Sequence, residues 1–191
     1  MNRAGLRRAT FLAAKRLLFP GLDIATRKRM ALARYFRPGP IATLDAGCGN
    51  GAFSYYACRL GNAVVGVDFD PDKLAGCEEF RDSLRLDPAH CRFVKHNLYD
   101  LVALHERFDQ IICFETLEHL ADDRAVIRQF YQVANPGAWL HVCTPRANRN
   151  PYYGERISEV EDGGHVRLGY THEQLEAMLR DEGFRPLRRD Q

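Results

Sequence analysis

Three glycines follow an acid within the short stretch LDAGCGNG at positions 44–51. Gly47, Gly49 and Gly51 alternate with other residues, and Asp45 stands two positions before the first of them. Glycine lets a ligand approach the main chain closely. An apolar segment precedes the motif and a helical one follows it, which predicts a strand-to-helix turn. Free N–H groups and the positive end of the helix favour an anionic group there; a tight turn that only packs closely is the alternative.

A second acid follows the next apolar segment. Asp68 ends the sequence AVVGVD and stands 21 residues after Gly47. Its two carboxylate oxygens can accept hydrogen bonds from both hydroxyls of a ribose, a role that acids at this position have in nucleotide-binding folds. A helix N-cap is the alternative role for Asp68, but its pairing with the glycine motif favours the ribose.

Two cofactors contain a ribose that this arrangement can bind. The segment from Gly47 to Ala52 satisfies the dinucleotide pattern G-x-G-x-x-G/A, so an NAD-linked oxidoreductase is one alternative. Asp45 argues against it, because a carboxylate in the turn repels a pyrophosphate and attracts an α-amino group. S-adenosylmethionine (SAM) offers an ammonium group and a ribose diol without a phosphate. SAM is therefore the preferred cofactor.

The elements that must position these acids alternate between strands and helices. After the first strand at residues 41–44, we predict strands at 63–67, 91–95, 108–114 and 138–143, with a turn at 135–137. Helices are predicted at 52–60, 71–84, 123–134 and 172–180, the last one capped by Thr171. Continuously apolar strands that alternate with helices predict an α/β fold, a doubly wound and mostly parallel sheet whose ligands bind beyond the carboxyl ends of the strands.

Composition and charge divide the 191 residues unequally. Residues 1–40 hold ten Lys or Arg and one acid, Asp23, so we predict a basic N-terminal helical arm at 1–37 and a SAM-binding domain at 38–191. Such an arm can contact nucleic acid or an anionic membrane. On a helical wheel, however, Leu12 and Phe19 fall among basic residues, which favours a solvated helix packed on the domain. Nucleic acid ranks below small molecules as the substrate.

The remaining bulk features are those of a soluble protein. No run of about 18 apolar residues exists, so no transmembrane helix is expected. Six cysteines form no C-x-x-C pair, which favours reduced core residues in a cytoplasmic protein.

Four segments in this order resemble the class I SAM-dependent methyltransferases, specifically the small-molecule and lipid/glycan type found in bacteria. LDAGCGNG and VVGVDFD are similar to the first two motifs of that family, and FDQIICFETLEHLADD and NPGAWLHVCTP to its fourth and fifth strands. GGHVRLGYTHEQLEAMLRDEGF resembles the last helix region. The resemblance covers about residues 43–184 and implies a Rossmann-like fold. The chain ends where a sixth strand would begin, so we expect the last two strands of the family's sheet to be lacking.

The resemblance also implies cofactor contacts. Residues of the glycine motif would line the methionine end of SAM, Asp68 would bind the ribose, and residues after the second, third and fourth strands would flank the adenine and the methyl group. The complete predicted cofactor set is Asp45, Gly47, Gly49, Gly51, Asp68, Phe69, Asn97, Leu98 and Phe114. Many relatives have aspartate where Asn97 stands, which makes this position a departure, although asparagine keeps a carbonyl acceptor.

The implied reaction transfers a methyl group from SAM to an oxygen or nitrogen of a small-molecule or lipid/glycan-linked acceptor. A non-catalytic SAM-fold binding module is an alternative. No catalytic base is assigned among the candidates Glu115, Glu118, His119, His141 and His165. We expect the acceptor pocket to include the stretch 145–169, where aromatic and basic side chains could bind a ring or an anionic group: Tyr152, Tyr153, Arg156 and Arg167.

A metal hypothesis stays open beside this assignment. Glu115, Glu118 and His119 form E-x-x-E-H, which at i, i+3 and i+4 would share one helix face, and His165 follows later. Carboxylates and imidazoles can hold a divalent ion, and quinone-type O-methyltransferases resemble this pattern. Because L-E-H also occurs in relatives without a metal, the sequence alone assigns none.

Overall fold

The computed structural model describes residues 3–18, 27, 29–151 and 156–189. The chain divides into two compact units, Met1–Lys95 and His96–Gln191. The domain boundary expected between residues 37 and 38 stays a prediction. None of the described helices is long and apolar enough to cross a bilayer.

The first unit carries three parallel strands. These are β1 (Ala42–Ala46), β2 (Ala63–Asp68) and β3 (Cys91–Lys95), and β2 pairs with both of the others. Helix α2 (Ala52–Arg59) connects β1 to β2, and helix α3 (Pro71–Ser83) connects β2 to β3. Asp70 caps α3 by accepting hydrogen bonds from the backbone N–H groups of residues 72 and 73, while Pro71 occupies the first helical position, where no N–H is needed.

A buried aromatic cluster fixes α2 and α3 to this sheet. The ring of Tyr55 lies 5.1 Å from that of Phe80 and 5.6 Å from that of Phe93, and all three are less than 10% exposed. The Tyr55 hydroxyl donates to the carbonyl of Cys77 at 2.8 Å, so its polar end is satisfied. Glycine is required at Gly66 in β2, because a Cβ there would lie 2.7 Å from the Phe93 ring.

The basic arm contains helix α1 (Arg3–Leu18) and a 3-10 turn (Ala31–Tyr35). Leu12 of α1 packs against the buried cluster around Tyr55. Phe36, just after the turn, is 4% exposed and contacts the rings of Phe53 and Tyr56 edge-on. Part of the arm therefore belongs to the packed first unit.

The second unit contains β4 (Phe108–Phe114), α4 (Asp123–Val133), β5 (Ala134–Cys143) and α5 (His172–Asp181), with β4 and β5 parallel. Two 3-10 segments, Leu98–Leu104 and Leu117–His119, were not predicted. The predicted cap of α5 by Thr171 is confirmed and is part of a capping box: Thr171 Oγ1 accepts from the N–H of Gln174, and the Gln174 side chain accepts from the N–H of Thr171.

One predicted turn is wrong. Residues 135–137 lie inside β5, which starts at Ala134 because that residue already pairs with Phe108. The next pair is Gln110 with Trp139, so the extra residues form an irregularity in the ladder. Gly137 has φ +80°, a conformation that glycine adopts without strain. All five described strands pair in parallel and alternate with helices along the chain. This pattern confirms the predicted Rossmann-like α/β fold.

Candidate active site

The predicted glycine turn (residues 47–51) has left-handed backbone at all three glycines. Gly47 has φ +75°, Gly49 +54° and Gly51 +75°. A Cβ on Gly51 would lie 2.8 Å from the Tyr55 ring, whereas one on Gly49 would meet no atom of the described chain within 4 Å. Gly51 is therefore needed for packing, while the space beside Gly49 remains open.

Asp68 connects the end of β2 to this turn. Its carboxylate is 6% exposed; Oδ2 accepts from the Gly49 N–H at 2.9 Å and Oδ1 from the Asp70 N–H at 3.1 Å. Asp70, and not Asp68, caps α3, so the N-cap interpretation of Asp68 is wrong. A carboxylate oxygen can accept more than one hydrogen bond, and both oxygens therefore retain capacity for a ligand hydroxyl.

Asp45 is a buried acid at the same end of the sheet. It lies in β1, is 2% exposed, and its Oδ2 accepts from the Ser54 hydroxyl at 2.6 Å. Burial raises the pKa of Asp45 to about 6, with a smaller contribution from the nearby Asp68 charge, although the hydrogen bonds from Ser54 act in the opposite direction. A ligand with a positive charge would stabilise the ionised form of this carboxyl.

The residues predicted beside the adenine and the methyl group differ in exposure. Phe69 follows β2 and is 67% exposed, with Lys73 Nζ 5.8 Å from its ring centre. In the second unit, Asn97 is exposed and its Oδ1 accepts from the Tyr99 N–H at 3.0 Å, which caps the 3-10 segment. Leu98 and Phe114 are buried. The cofactor contacts of these residues stay predictions.

The second unit contains a polar group of its own, the Glu118 cluster, formed by Glu118, His119 and His165. One ligand atom from each residue lies within 4.8 Å of the others. Glu118 is fully buried, and the two imidazole rings are 4.6 Å apart. His119 Nδ1 lies 2.9 Å from the Gly164 carbonyl oxygen, which only accepts, so Nδ1 carries the proton and Nε2 keeps its lone pair. Burial lowers the pKa of His119, which favours the neutral ring.

The prediction that these ligands share one face of an α-helix is wrong. Leu117–His119 is a single 3-10 turn, and Glu115 precedes it with φ +52°, outside the group of ligand atoms within 4.8 Å. His165 reaches the cluster through the backbone instead, since the N–H of Val166 donates to the Glu118 carbonyl at 2.9 Å. The Nδ1 atom of His165 also lies 3.5 Å from the Arg149 guanidinium.

The sequence predicted that Arg167 could bind a ring or an anionic group of the acceptor. In the structure, Arg167 instead stabilises residues 117–121. Its guanidinium donates to the carbonyls of Leu117, Leu120 and Ala121 at 2.9, 2.6 and 3.0 Å. It also pairs with Asp123 at 3.0 Å. Sequence reasoning missed this role because it depends on carbonyl positions about 50 residues away. Tyr152 and Tyr153, predicted for the acceptor pocket, lie outside the described residues.

The second unit also contains a polar cavity of about 290 Å³. It is lined by the segment that follows β5, by the first turn of α5 and by Arg189. Its lining includes two arginines, a histidine and one acid: Arg146, Asn148, Tyr170, Thr171, His172, Glu173 and Arg189. Arg189 is already paired with Glu173 and Glu176. A small anionic group would be compatible with Arg146 and His172 in this cavity.

Comparisons with known proteins show the family and the fold. The profile of the family described as "methyltransferase domain" matches residues 20–188. The ubiquinone biosynthesis O-methyltransferase of Xanthomonas campestris pv. campestris strain B100 is 34% identical over 122 residues, 62% of this chain and 48% of the relative. The chain therefore spans about half the length of that curated relative.

Solved structures with low sequence identity show the same fold. A putative methyltransferase from Bacillus halodurans C-125 has a TM-score of 0.67 at 21% identity, over 86% of this chain and 69% of its own. The cyclase SpnF also has a TM-score of 0.67, at 22% identity over 82% and 57%. The fold thus occurs in proteins that are described by different reactions. The family match is decisive: the chain belongs to the SAM-dependent methyltransferases, the class predicted from its motifs, and SAM is the cofactor of that class.

Proposed function

We propose that this chain transfers the methyl group of SAM to a hydroxyl oxygen of a small-molecule or lipid/glycan-linked acceptor. The observation that carries the proposal is the pair of buried acids, Asp45 and Asp68, at the left-handed glycine turn. They provide a charge partner for an ammonium group and hydrogen-bond acceptors for a ribose diol. The Xanthomonas relative is named an O-methyltransferase, which supports oxygen over nitrogen as the acceptor atom.

Asp45 has the sharper role in distinguishing cofactors. A second negative charge brought by a pyrophosphate would raise the cost of ionising this buried carboxyl further. The SAM ammonium would instead lower it, so binding and ionisation of Asp45 support each other. This coupling favours SAM over NAD, although the glycine spacing formally satisfies the dinucleotide pattern.

The Glu118 cluster favours a hydroxyl acceptor bound with a divalent cation. A buried carboxylate and two imidazoles are a fitting donor set, and the Gly164 carbonyl holds His119 in the tautomer that leaves Nε2 available. Such a cation, when bound, polarises an acceptor oxygen and lowers the pKa of its hydroxyl. The chain's own part is to orient the two rings and to place the Glu118 carboxyl group beside them.

Calorimetric titration of SAM and, separately, NADH into wild type, Asp68→Asn and Asp72→Asn tests the cofactor assignment. Asp68→Asn removes the charge and replaces one acceptor oxygen with a donor, so we expect at least tenfold weaker SAM binding. Asp72 is an exposed acid in the first turn of α3, and Asp72→Asn should bind like wild type. NADH binding that exceeds SAM binding would refute the proposal. Tight SAM binding without turnover on any phenolic or alcoholic acceptor would support the binding-module alternative.

Titration of Mg²⁺, Mn²⁺ and Zn²⁺ tests the cation separately from the cofactor. Glu118→Gln and Glu115→Gln are a matched pair, because only Glu118 belongs to the cluster of ligand atoms. We expect the first variant to weaken binding of the preferred metal about 10- to 100-fold, and the second to leave it nearly unchanged. Full activity of chelator-treated protein, with no metal found by elemental analysis, would contradict the cation while leaving the SAM assignment intact.

A further inference from the structure

Helix α1 presents an exposed stripe that combines positive charge with apolar side chains. Arg7, Phe11, Ala14 and Leu18 follow the spacing i, i+4, i+7 and i+11, which places them on one helix face. All four are exposed, and Phe11 and Leu18 are 63% and 43% accessible. Leu17, at 86%, lies beside them. We call Leu17 and these four residues the outer stripe.

The opposite side of α1 packs against the core of the first unit, to which the helix belongs. Leu12 is partly buried and packs against the cluster that contains Tyr55, Phe80 and Phe93. On the helical wheel, the position of Leu12 among basic residues argued against an interfacial helix. The contact of Leu12 with the core removes that objection. Leu12 faces the core, so it does not disturb the outer stripe. Phe19, the other interruption, lies outside the described residues.

The charge of α1 is uniformly positive. Its sequence, RAGLRRATFLAAKRLL, contains five Lys or Arg and no acid. Residues 41–191 hold 17 basic and 24 acidic residues, so this positive charge is specific to the arm and does not extend over the chain. The helix also precedes residue 20, where the match to the methyltransferase family begins. The exposed stripe is therefore a feature of this chain in addition to the matched domain.

We propose that α1 binds the surface of a lipid bilayer that contains anionic lipids. Phe11, Leu17 and Leu18 enter the boundary between head groups and acyl chains, and Arg7 approaches the anionic head groups. The helix lies on the bilayer and does not cross it, in keeping with its length and charge. This proposal does not depend on the proposed methyl transfer, because it concerns a different surface.

The apolar members of the stripe distinguish a bilayer from a nucleic acid. A phosphate backbone attracts Lys and Arg, but burying leucine side chains contributes little to that contact. A bilayer interface stabilises both kinds of side chain at once. The exposure of Phe11, Leu17 and Leu18 next to Arg7 is thus explained by a bilayer and left unexplained by a nucleic acid.

Sedimentation of the full chain with vesicles tests the proposal. The vesicles contain either phosphatidylglycerol mixed with phosphatidylcholine or phosphatidylcholine alone. We expect binding to the anionic vesicles and at least tenfold weaker partitioning for Phe11→Ser/Leu18→Ser. Arg7→Glu should weaken partitioning about tenfold. Val160→Ser/Leu187→Ser is the matched control, since both residues are exposed apolar side chains outside α1, at 64% and 67%. It should bind like wild type.

Circular dichroism and thermal unfolding of each variant verify that the fold is retained, as expected for exposed positions. No binding to anionic vesicles at low salt would overturn the proposal, and so would equal binding by wild type and Phe11→Ser/Leu18→Ser. Tighter binding to a single-stranded RNA oligonucleotide than to vesicles, unchanged in that double variant, would assign the helix to nucleic acid instead.

Discussion

The glycine turn and the Glu118 cluster are held in place by different kinds of interaction. In the turn, the partners lie within one strand–turn–helix–strand unit: the N–H groups of Gly47 and Cys48 donate to the Val67 carbonyl, and that of Gly49 donates to the Asp68 carboxylate. In the cluster, one side chain, Arg167, joins carbonyls that lie 46 to 50 residues away in the sequence.

This difference has a consequence for how each region responds to substitution. The turn depends on backbone conformations that only glycine adopts easily, so it should be sensitive at single glycines and tolerant of changes in side chains elsewhere. The cluster depends on a long-range guanidinium, so a substitution that never touches a ligand should still disturb it. The three predictions below compare the regions, beginning with the largest expected effect.

Substitution of Gly51 should have the largest effect. Gly51→Ala places a Cβ 2.8 Å from the Tyr55 ring, in a backbone with φ +75°. Tyr55 cannot move away easily, because it packs against Phe80 and Phe93. Left-handed strain and overpacking together should lower the free energy of unfolding by about 4 kcal/mol. Urea denaturation measures the change.

Gly49→Ala is the matched control for this prediction. It has a similar positive φ, +54°, but its Cβ would enter open space. Only the conformational strain remains, and the expected loss is about 1 kcal/mol. Equal losses for the two variants would show that packing against Tyr55 does not distinguish these glycines.

Asp45 should make the stability of the first unit depend on pH. Burial raises its folded-state pKa from 3.8 to about 6, so the folded protein binds the proton more tightly than the unfolded chain. The contribution of this group is therefore most favourable below pH 3.8 and is lost as the pH rises towards 6. Asp45→Asn removes this loss, and the variant should be more stable than wild type at pH 7 by up to about 3 kcal/mol.

Unfolding curves at several pH values measure this difference, which should vanish only below pH 3.8. Asp72→Asn, a change at an exposed acid, should show no comparable dependence. SAM affinity should move in the opposite direction: it should increase as the pH rises towards 6 and be lost in Asp45→Asn, because the ammonium requires an ionised carboxyl. A variant that is less stable than wild type at pH 7 would contradict the proposed cost of burying Asp45.

The two regions also differ in how far the sequence predicts them. The spacing of Asp45, the three glycines and Asp68 predicts the turn because all of them lie within one strand–turn–helix–strand unit, where local rules apply. The strand β3 at residues 91–95 and the cap of α5 by Thr171 were predicted for the same reason. For the Glu118 cluster the sequence offered only a hypothesis that assigned no metal and also included Glu115, which lies outside the cluster.

The error at Glu115 has a physical cause. Periodicity assumes a continuous α-helix, but a left-handed residue at φ +52° and a single 3-10 turn replace it. The conformation is maintained by Arg167 and by the Val166 N–H bond to the Glu118 carbonyl, and neither has a local sequence signal. Long-range hydrogen bonds to backbone carbonyls determine the geometry of residues 115–121. A rule based on residue spacing along the sequence cannot predict such bonds.

Arg167→Met should have the smallest of the three effects on stability but the most informative one on the cluster. It removes hydrogen bonds to three carbonyls and the contact with Asp123, and we expect a loss of about 2 kcal/mol. Arg128→Met is the matched control, since it breaks an ion pair with Glu182 on the surface and should cost about 0.5 kcal/mol.

NMR titration of His119 adds a readout beyond stability. The pKa of His119 is lowered by burial, so loosening of residues 117–121 should raise this pKa towards 6.5 in Arg167→Met and leave it unchanged in Arg128→Met. An unchanged His119 pKa would show that the cluster is held independently of Arg167, which would remove the contrast with the glycine turn.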